Sequence, residues 1–134
     1  MNTSLKLNKH ALGLIGLLAV QYLLGMSINL YVKFPESQTQ SELWNFSMKQ
    51  PLITSHIGVA ILLFFGALVL VYSAHKTQST AWKIPAWTGL IALLVASSAG
   101  SQFIPTQSDP QSFLMAAAFL VAFGAYGWGV CRSK

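Results

Sequence analysis

The stretch Pro51–Ala74 reads PLITSHIGVAILLFFGALVLVYSA and contains no Asp, Glu, Lys or Arg. As a helix it would be about 36 Å long at 1.5 Å per residue, enough to cross the roughly 30 Å hydrocarbon core of a bilayer. His56 stands out in this run because its imidazole is polar and can take up a proton. Ionisable groups at such a depth are costly, and they usually face a bundle interior where they form a site. The stretch therefore predicts a membrane span, with His56 as its candidate functional residue.

The composition of the whole chain is also typical of a membrane protein. Of its 134 residues, 54% are hydrophobic and 8% are charged, whereas soluble domains carry about 25% charged residues. The net charge of +5 would favour nucleic-acid binding in a soluble protein. Here the basic residues lie at the ends of apolar runs, so we expect a lipid bilayer as partner and no nucleic acid. Cys131 is the only cysteine, which excludes an internal disulfide.

Four apolar runs are each long enough to span a membrane. They cover residues of about 11–32, 51–74, 84–104 and 111–130. Pro51 and Pro85 suit the first turn of a helix, where no backbone N–H is needed. Between the first two runs, residues 33–50 mix apolar and polar side chains, which suits a short segment that lies on the membrane or caps the bundle. The prediction is an all-α integral membrane four-helix bundle with up-down-up-down topology, forming a single domain over residues 1–134.

The charged residues predict which way the bundle faces. One side would hold six basic residues: Lys6, Lys9, Lys76, Lys83, Arg132 and Lys134. The other side would hold two basic residues and all three acidic ones: Lys33, Lys49, Glu36, Glu42 and Asp109. Since loops rich in Lys and Arg stay in the cytoplasm, both termini are predicted to be cytoplasmic.

Aromatic and small residues give two further expectations. The aromatic residues at the predicted cytoplasmic ends of the spans suit interfacial anchors; they are Tyr72, Trp82, Trp87, Tyr126 and Trp128. Small residues at helical spacing let two backbones approach closely in lipid. On the fourth span they are Ala118, Ala122, Ala125 and Gly129, which therefore predict a helix–helix contact.

Polar or ligand-capable side chains from all four spans fall at a similar predicted depth, in the outer half of the bundle. On the first span, Gln21, Gly25 and Asn29 recur at every fourth residue and form one stripe. The predicted cofactor-binding set is Gln21, Asn29, His56, Ser97, Ser101 and Met115. Plain structural roles are the alternative: amides that bond between helices, serines that bond the preceding turn, and a neutral imidazole satisfied by Asn29 or a serine.

The first two spans carry a resemblance to a known family. Gln21–Met26 reads QYLLGM, Asn29–Val32 reads NLYV, and Pro35 follows. This pattern resembles a family of small bacterial four-span membrane proteins of no established function. In that family a histidine near the outer start of the second helix follows a variable loop, as His56 does here. The resemblance covers most of the first two spans and implies the bacterial plasma membrane as location.

A more distant resemblance involves the same residues. A Gln-x-Leu-Leu-Gly segment followed by a histidine on the next helix is similar to one half of a haem A synthase, whose four-helix halves use histidines as haem ligands. This chain departs from that pattern in its longer loop and in the absence of histidine from its fourth span. The resemblance implies His56 as an iron ligand, and Met115 or Met26 could supply the sixth ligand, since His/Met ligation of haem is known.

Three functions remain open on the sequence alone. The first is a protein that binds haem or quinone through His56. The second is a non-catalytic accessory or assembly subunit of a membrane complex, in which the polar layer only sets the register of the helices. The third, a transporter of small solutes, is weaker because no carboxylate lies within a predicted span.

Overall fold

The computed structural model describes residues 3–35 and 39–133, and over these residues the chain is helical apart from its connections. Five helices follow one another: α1 Thr3–Tyr31, α2 Gln40–Lys49, α3 Pro51–Lys76, α4 Thr80–Thr106 and α5 Asp109–Arg132. The all-α prediction is confirmed. Glu36 and Lys134, used above in predicting the orientation, lie outside the described residues.

Four of the helices, α1, α3, α4 and α5, are long and apolar enough to cross a membrane, so the chain is a multi-pass membrane protein. α1 and α4 begin earlier than their apolar runs, at Thr3 and Thr80. These helices extend beyond their apolar runs because hydropathy determines which part of a helix lies in the membrane. Backbone hydrogen bonds can continue the helix outside that part. The prediction that Pro85 opens its helix is wrong, because it lies inside α4 and is buried.

The four long helices close a ring in the order α1, α3, α4, α5, with α5 back against α1. Consecutive spanning helices run antiparallel, which confirms the up-down-up-down prediction. Asn8 on α1 accepts a hydrogen bond from the hydroxyl of Ser133, just after α5, so both ends of the described chain meet at one end of the bundle. We call this the terminal end and the opposite one the α2 end.

Helix α2 caps the bundle, as the amphipathic segment 33–50 predicts. It packs against α3 and α4 and buries Leu43 and Ser47. Phe34, just after α1, joins it to the bundle, because its ring centroid lies 5.9 Å from that of Phe46 and 6.1 Å from that of Phe103 on α4. The cap therefore holds the ends of α1 and α4 together at this end.

The small residues of α5 confirm the predicted helix contact, since Ala118, Ala122, Ala125 and Gly129 are all buried. Two large aromatic side chains fill the space that glycines leave. Trp82 lies against Gly129, and Tyr126 lies against Gly89. Both aromatic residues are fully buried, so the interpretation of Trp82 and Tyr126 as interfacial anchors is wrong. The physical reason is that a glycine on the facing helix offers each ring a site in the core.

Candidate functional site

Of the residues predicted to bind a cofactor, Gln21 on α1 and His56 on α3 contact each other. Their Nε2 atoms lie 3.0 Å apart, and both side chains are half-buried. His56 stands five residues into α3, which puts it about 8 Å from the α2 end of that helix. The expected partner of the imidazole was Asn29 or a serine. The structure corrects this to Gln21.

The chemistry of the amide assigns the imidazole proton in this contact. An amide nitrogen can only donate, so Gln21 Nε2 donates and His56 Nε2 accepts. In the neutral imidazole the proton therefore sits on Nδ1. His56 Nδ1 and Gln21 Oε1 are both buried and have no hydrogen-bond partner among the described residues. The contact thus leaves one buried donor and one buried acceptor without a partner among the described residues.

Gly25 lies beside the imidazole, one turn along α1 from Gln21. A Cβ at residue 25 would lie 3.4 Å from His56 Cε1 and 3.9 Å from Nδ1. Met115 on α5 has a similar relation to Gly100 on α4, where a Cβ would lie 3.3 Å from the thioether sulfur. In each antiparallel pair of helices, a ligand-capable side chain therefore rests against a glycine of its neighbour.

Helix register brings Met115 to the level of His56. Tyr22 on α1 stacks near Phe119 on α5, with ring centroids 5.8 Å apart. One helical turn further toward the α2 end, Met26 lies level with Met115. His56 rests against Gly25, the residue before Met26. His56 and Met115 therefore share one level of the bundle, on the helices α3 and α5, which are diagonal in the ring.

Asn29, Ser97 and Ser101 do not join this contact. All three are exposed, and Ser101 donates to the carbonyl of Ser98 at 2.8 Å, within its own helix. Asn29 lies on the predicted stripe of Gln21 and Gly25 and is nevertheless exposed. Eight residues of α-helix turn by 800°, so Asn29 is rotated by about 80° from Gln21. Ser97 and Ser101 likewise lie beside, and not on, the buried stripe of α4 that contains Ala92.

Comparison of the chain with protein-family models, curated proteins and solved structures finds no match. The two resemblances drawn from the motifs of the first two spans therefore stay predictions.

The other two histidines each form a hydrogen bond with a backbone carbonyl. His10 donates from Nε2 to the backbone carbonyl of Gly66 on α3 at 3.0 Å, and His75 donates from Nδ1 to the carbonyl of Val71 at 3.0 Å. Carbonyl oxygens can only accept, so each imidazole acts as the donor. Among the described residues, no three His, Cys, Asp or Glu side chains come together in a way that could hold a metal ion.

Asn8 is a structural residue that sequence reasoning did not single out. Its Oδ1 accepts a hydrogen bond from the indole N–H of Trp82 at 3.1 Å as well as from Ser133. It therefore ties α1 to α4 and to the end of α5. The signal in the sequence is weak, because an asparagine in the first turns of a helix is common and only the fold brings Trp82 to it.

Proposed function

We propose that the Gln21–His56 pair binds the head group of a quinone. The observation that supports this is a buried donor, His56 Nδ1–H, and a buried acceptor, Gln21 Oε1, neither of which has a hydrogen-bond partner among the described residues. Buried polar groups in native proteins nearly always have partners, and one left without a partner costs about 1–3 kcal/mol. A bound ligand that supplies both partners would recover this free energy.

A quinone matches this pair in both of its redox forms. The oxidised form presents a carbonyl oxygen, which can accept from His56 Nδ1–H. The reduced form presents a hydroxyl, which can also donate to Gln21 Oε1. Gly25 lies beside the imidazole, and exposed apolar residues of α1, Tyr22 and Met26, flank the site on the lipid side. A hydrophobic tail could therefore remain among the lipids.

Haem is the second candidate, and the level shared by His56 and Met115 favours it. Four-helix bundles build cofactor sites from side chains on facing helices, and His/Met is a known pair of haem ligands. In the contact as it stands, Nδ1 carries the proton and cannot ligate iron. His56 and Met115 fit as iron ligands once the Gln21 amide is turned. Gln21 Oε1 then accepts from His56 Nε2–H, so that the lone pair of His56 Nδ1 is free to bind iron. Haem bound there would supply one-electron redox chemistry.

A role as accessory subunit is favoured by a different surface. Ser97 and Ser101 are exposed on one face of α4, four residues apart, within a candidate membrane span. Hydroxyl groups of this kind form hydrogen bonds between packed transmembrane helices. A helix of another membrane protein that packs on this face would cover them.

Titration of the purified protein tests the first proposal. The wild type in mild detergent is titrated with decylubiquinone by calorimetry, beside His56→Ala and a matched control, His75→Ala, whose imidazole donates a hydrogen bond within its own helix. We expect His56→Ala to weaken binding by about tenfold, corresponding to the loss of one hydrogen bond, and His75→Ala to bind like the wild type. Equal binding by all three proteins would contradict the proposal.

An oxidised-minus-reduced absorption spectrum of the same preparations tests the haem candidate. A Soret band that His56→Ala loses and His75→Ala keeps would favour haem, and Met115→Ala should then alter the spectrum. A colourless protein from haem-replete cells that also fails to bind decylubiquinone would leave the accessory role.

We further propose that the protein lies in the bacterial plasma membrane with its terminal end in the cytoplasm. Of the described charged residues, Lys6, Lys9, Lys76, Lys83 and Arg132 belong to the terminal end. Lys33, Lys49, Glu42 and Asp109 belong to the α2 end. This imbalance of basic residues follows the positive-inside rule. The resemblance of the first two spans supports the bacterial location.

A further inference from the structure

A cavity of about 300 Å³ lies between α1 and α3 at the terminal end. Its volume is at the lower end of the range for ligand pockets, about 300–1,000 Å³. Its walls bring together two lysines, a histidine, two hydroxyl residues and one leucine: Lys6, Leu7, His10, Ser73, Lys76 and Thr77. This site is separate from the quinone site, since Lys76 stands twenty residues after His56 on α3, about 30 Å along the helix.

The charge of this cavity is positive, and no acidic side chain among the described residues lies near it. Lys6 and Lys76 both line it, and each of these long side chains ends in an ammonium group. The acidic residues among those described, Glu42 on α2 and Asp109 at the start of α5, lie at the opposite end of the bundle. The ammonium nitrogen of Lys76 lies 5.8 Å from the centre of the Tyr72 ring, one helical turn earlier on α3. The cavity therefore attracts an anion.

The donors in the cavity suit a phosphate group. The two ammonium groups each carry three N–H donors, and Ser73 adds a hydroxyl. The hydroxyl of Thr77 already donates to the carbonyl of Ser73 at 2.8 Å, so its oxygen can only accept. Leu7 is buried and forms an apolar wall. Several donors from short and long side chains can thus surround an anion with several acceptor oxygens.

The height of the cavity matches that of lipid head groups. α3 has 26 residues and is about 39 Å long, close to the 40–45 Å of a bilayer with its head groups. Lys76 is the last residue of this helix. Basic pockets between transmembrane helices are known to bind anionic head groups. We propose that the Lys6–Lys76 cavity binds a phosphate group, either of an anionic phospholipid or as free phosphate.

Two titrations of the full chain in detergent test this and separate the two sources. Native mass spectrometry measures the binding of phosphatidylglycerol against phosphatidylcholine, and calorimetry measures the binding of inorganic phosphate. The test variant is Lys6→Gln/Lys76→Gln. The control, Lys9→Gln/Lys83→Gln, removes the same charge from the same end, but neither residue lines the cavity. Lys83 instead donates to Gln78 Oε1 at 2.7 Å.

We expect the test variant to lose about 10- to 30-fold in affinity for phosphatidylglycerol, and the control to bind like the wild type. Phosphatidylglycerol binding without phosphate binding would identify a lipid head group, and binding of both with the same loss in the test variant would identify phosphate itself. An equal loss in both double variants would overturn the proposal, as would a wild type that neither prefers phosphatidylglycerol nor binds phosphate.

Discussion

Gly129 on α5 lies directly against the indole of Trp82 on α4: a Cβ at residue 129 would come within 3.0 Å of three atoms of that ring. Trp82 is fully buried, and its indole N–H donates to Asn8 on α1. One glycine therefore admits a side chain that links three of the four spanning helices at the terminal end.

Replacing this glycine should destabilise the bundle. In Gly129→Ala the new methyl group overlaps the rigid indole, so α4 and α5 must separate or Trp82 must leave the core, at a cost of about 1–3 kcal/mol. The matched control is Gly127→Ala on the same helix, where a Cβ would meet nothing within 4 Å. Unfolding in a mixture of SDS and mild detergent measures the difference. Equal stability of the two variants would contradict the packing described for Trp82.

The bond between Gln21 and His56 should be worth a measurable coupling energy. Either single variant, Gln21→Leu or His56→Leu, leaves a polar side chain without its partner, whereas the double variant removes both. We expect a coupling of about 0.6 to 1.7 kcal/mol in a double-mutant cycle, the range found between membrane helices. The free energies of unfolding of the four proteins provide it. Strictly additive single effects would mean that the pair does not interact in the membrane.

The start of α2 should respond to acid. Glu42 accepts hydrogen bonds from the hydroxyl and the backbone N–H of Thr39, at 2.7 and 2.8 Å, and these hold the pKa of its carboxyl below the ordinary value of 4.5. A lowered pKa means that the contact is fully formed above the ordinary value and is lost as the pH falls through the lowered one. Carbon-13 NMR of the Glu42 carboxyl measures this titration.

Thr39→Val is the control for this titration, because it removes the hydroxyl donor and keeps the backbone one. The pKa of Glu42 should then rise part of the way toward its ordinary value. If the pKa of Glu42 does not move in this variant, the hydroxyl is not a partner of the carboxylate.

The single cysteine provides a test of orientation. Cys131 is exposed near the terminal end of α5. With that end in the cytoplasm, a membrane-impermeant maleimide should label Cys131 in lysed cells and leave it unlabelled in intact spheroplasts. The control is Ser41→Cys in a Cys131→Ser background, which carries the cysteine on exposed α2 and should react in intact spheroplasts. The reverse pattern would place the termini outside.

Much of the fold could be predicted because each span is a local property of the sequence. A span is recognised from the length of its apolar run, from the charged residues at its ends and, in α3, from the proline that opens the helix. None of these features depends on which other helices it contacts. Pro85 is the exception, since its place inside α4 depends on residues 80–84 adopting a helix ahead of it. α2 could be predicted in the same way, because its mixture of apolar and polar residues is also a local property of the sequence.

The candidate site could be predicted only in part. Gln21 and His56 were each singled out as polar residues in apolar spans, but their pairing depends on how α1 and α3 are rotated and shifted against one another. Asn29 shares the spacing of Gln21 and is nevertheless exposed, because a spacing of four residues drifts around the helix by about 40° at each step.

The amino-acid sequence by itself determined that this chain has four helices able to cross a membrane and which apolar runs they contain, because the cost of placing polar groups in lipid acts residue by residue. The tertiary structure alone decided which side chains meet. Trp82 is in the core and not at the interface because Gly129 faces it, and His56 bonds Gln21 because the packing of α3 on α1 brings their side chains together. Such contacts depend on the close packing of two helix surfaces, which no single stretch of sequence specifies.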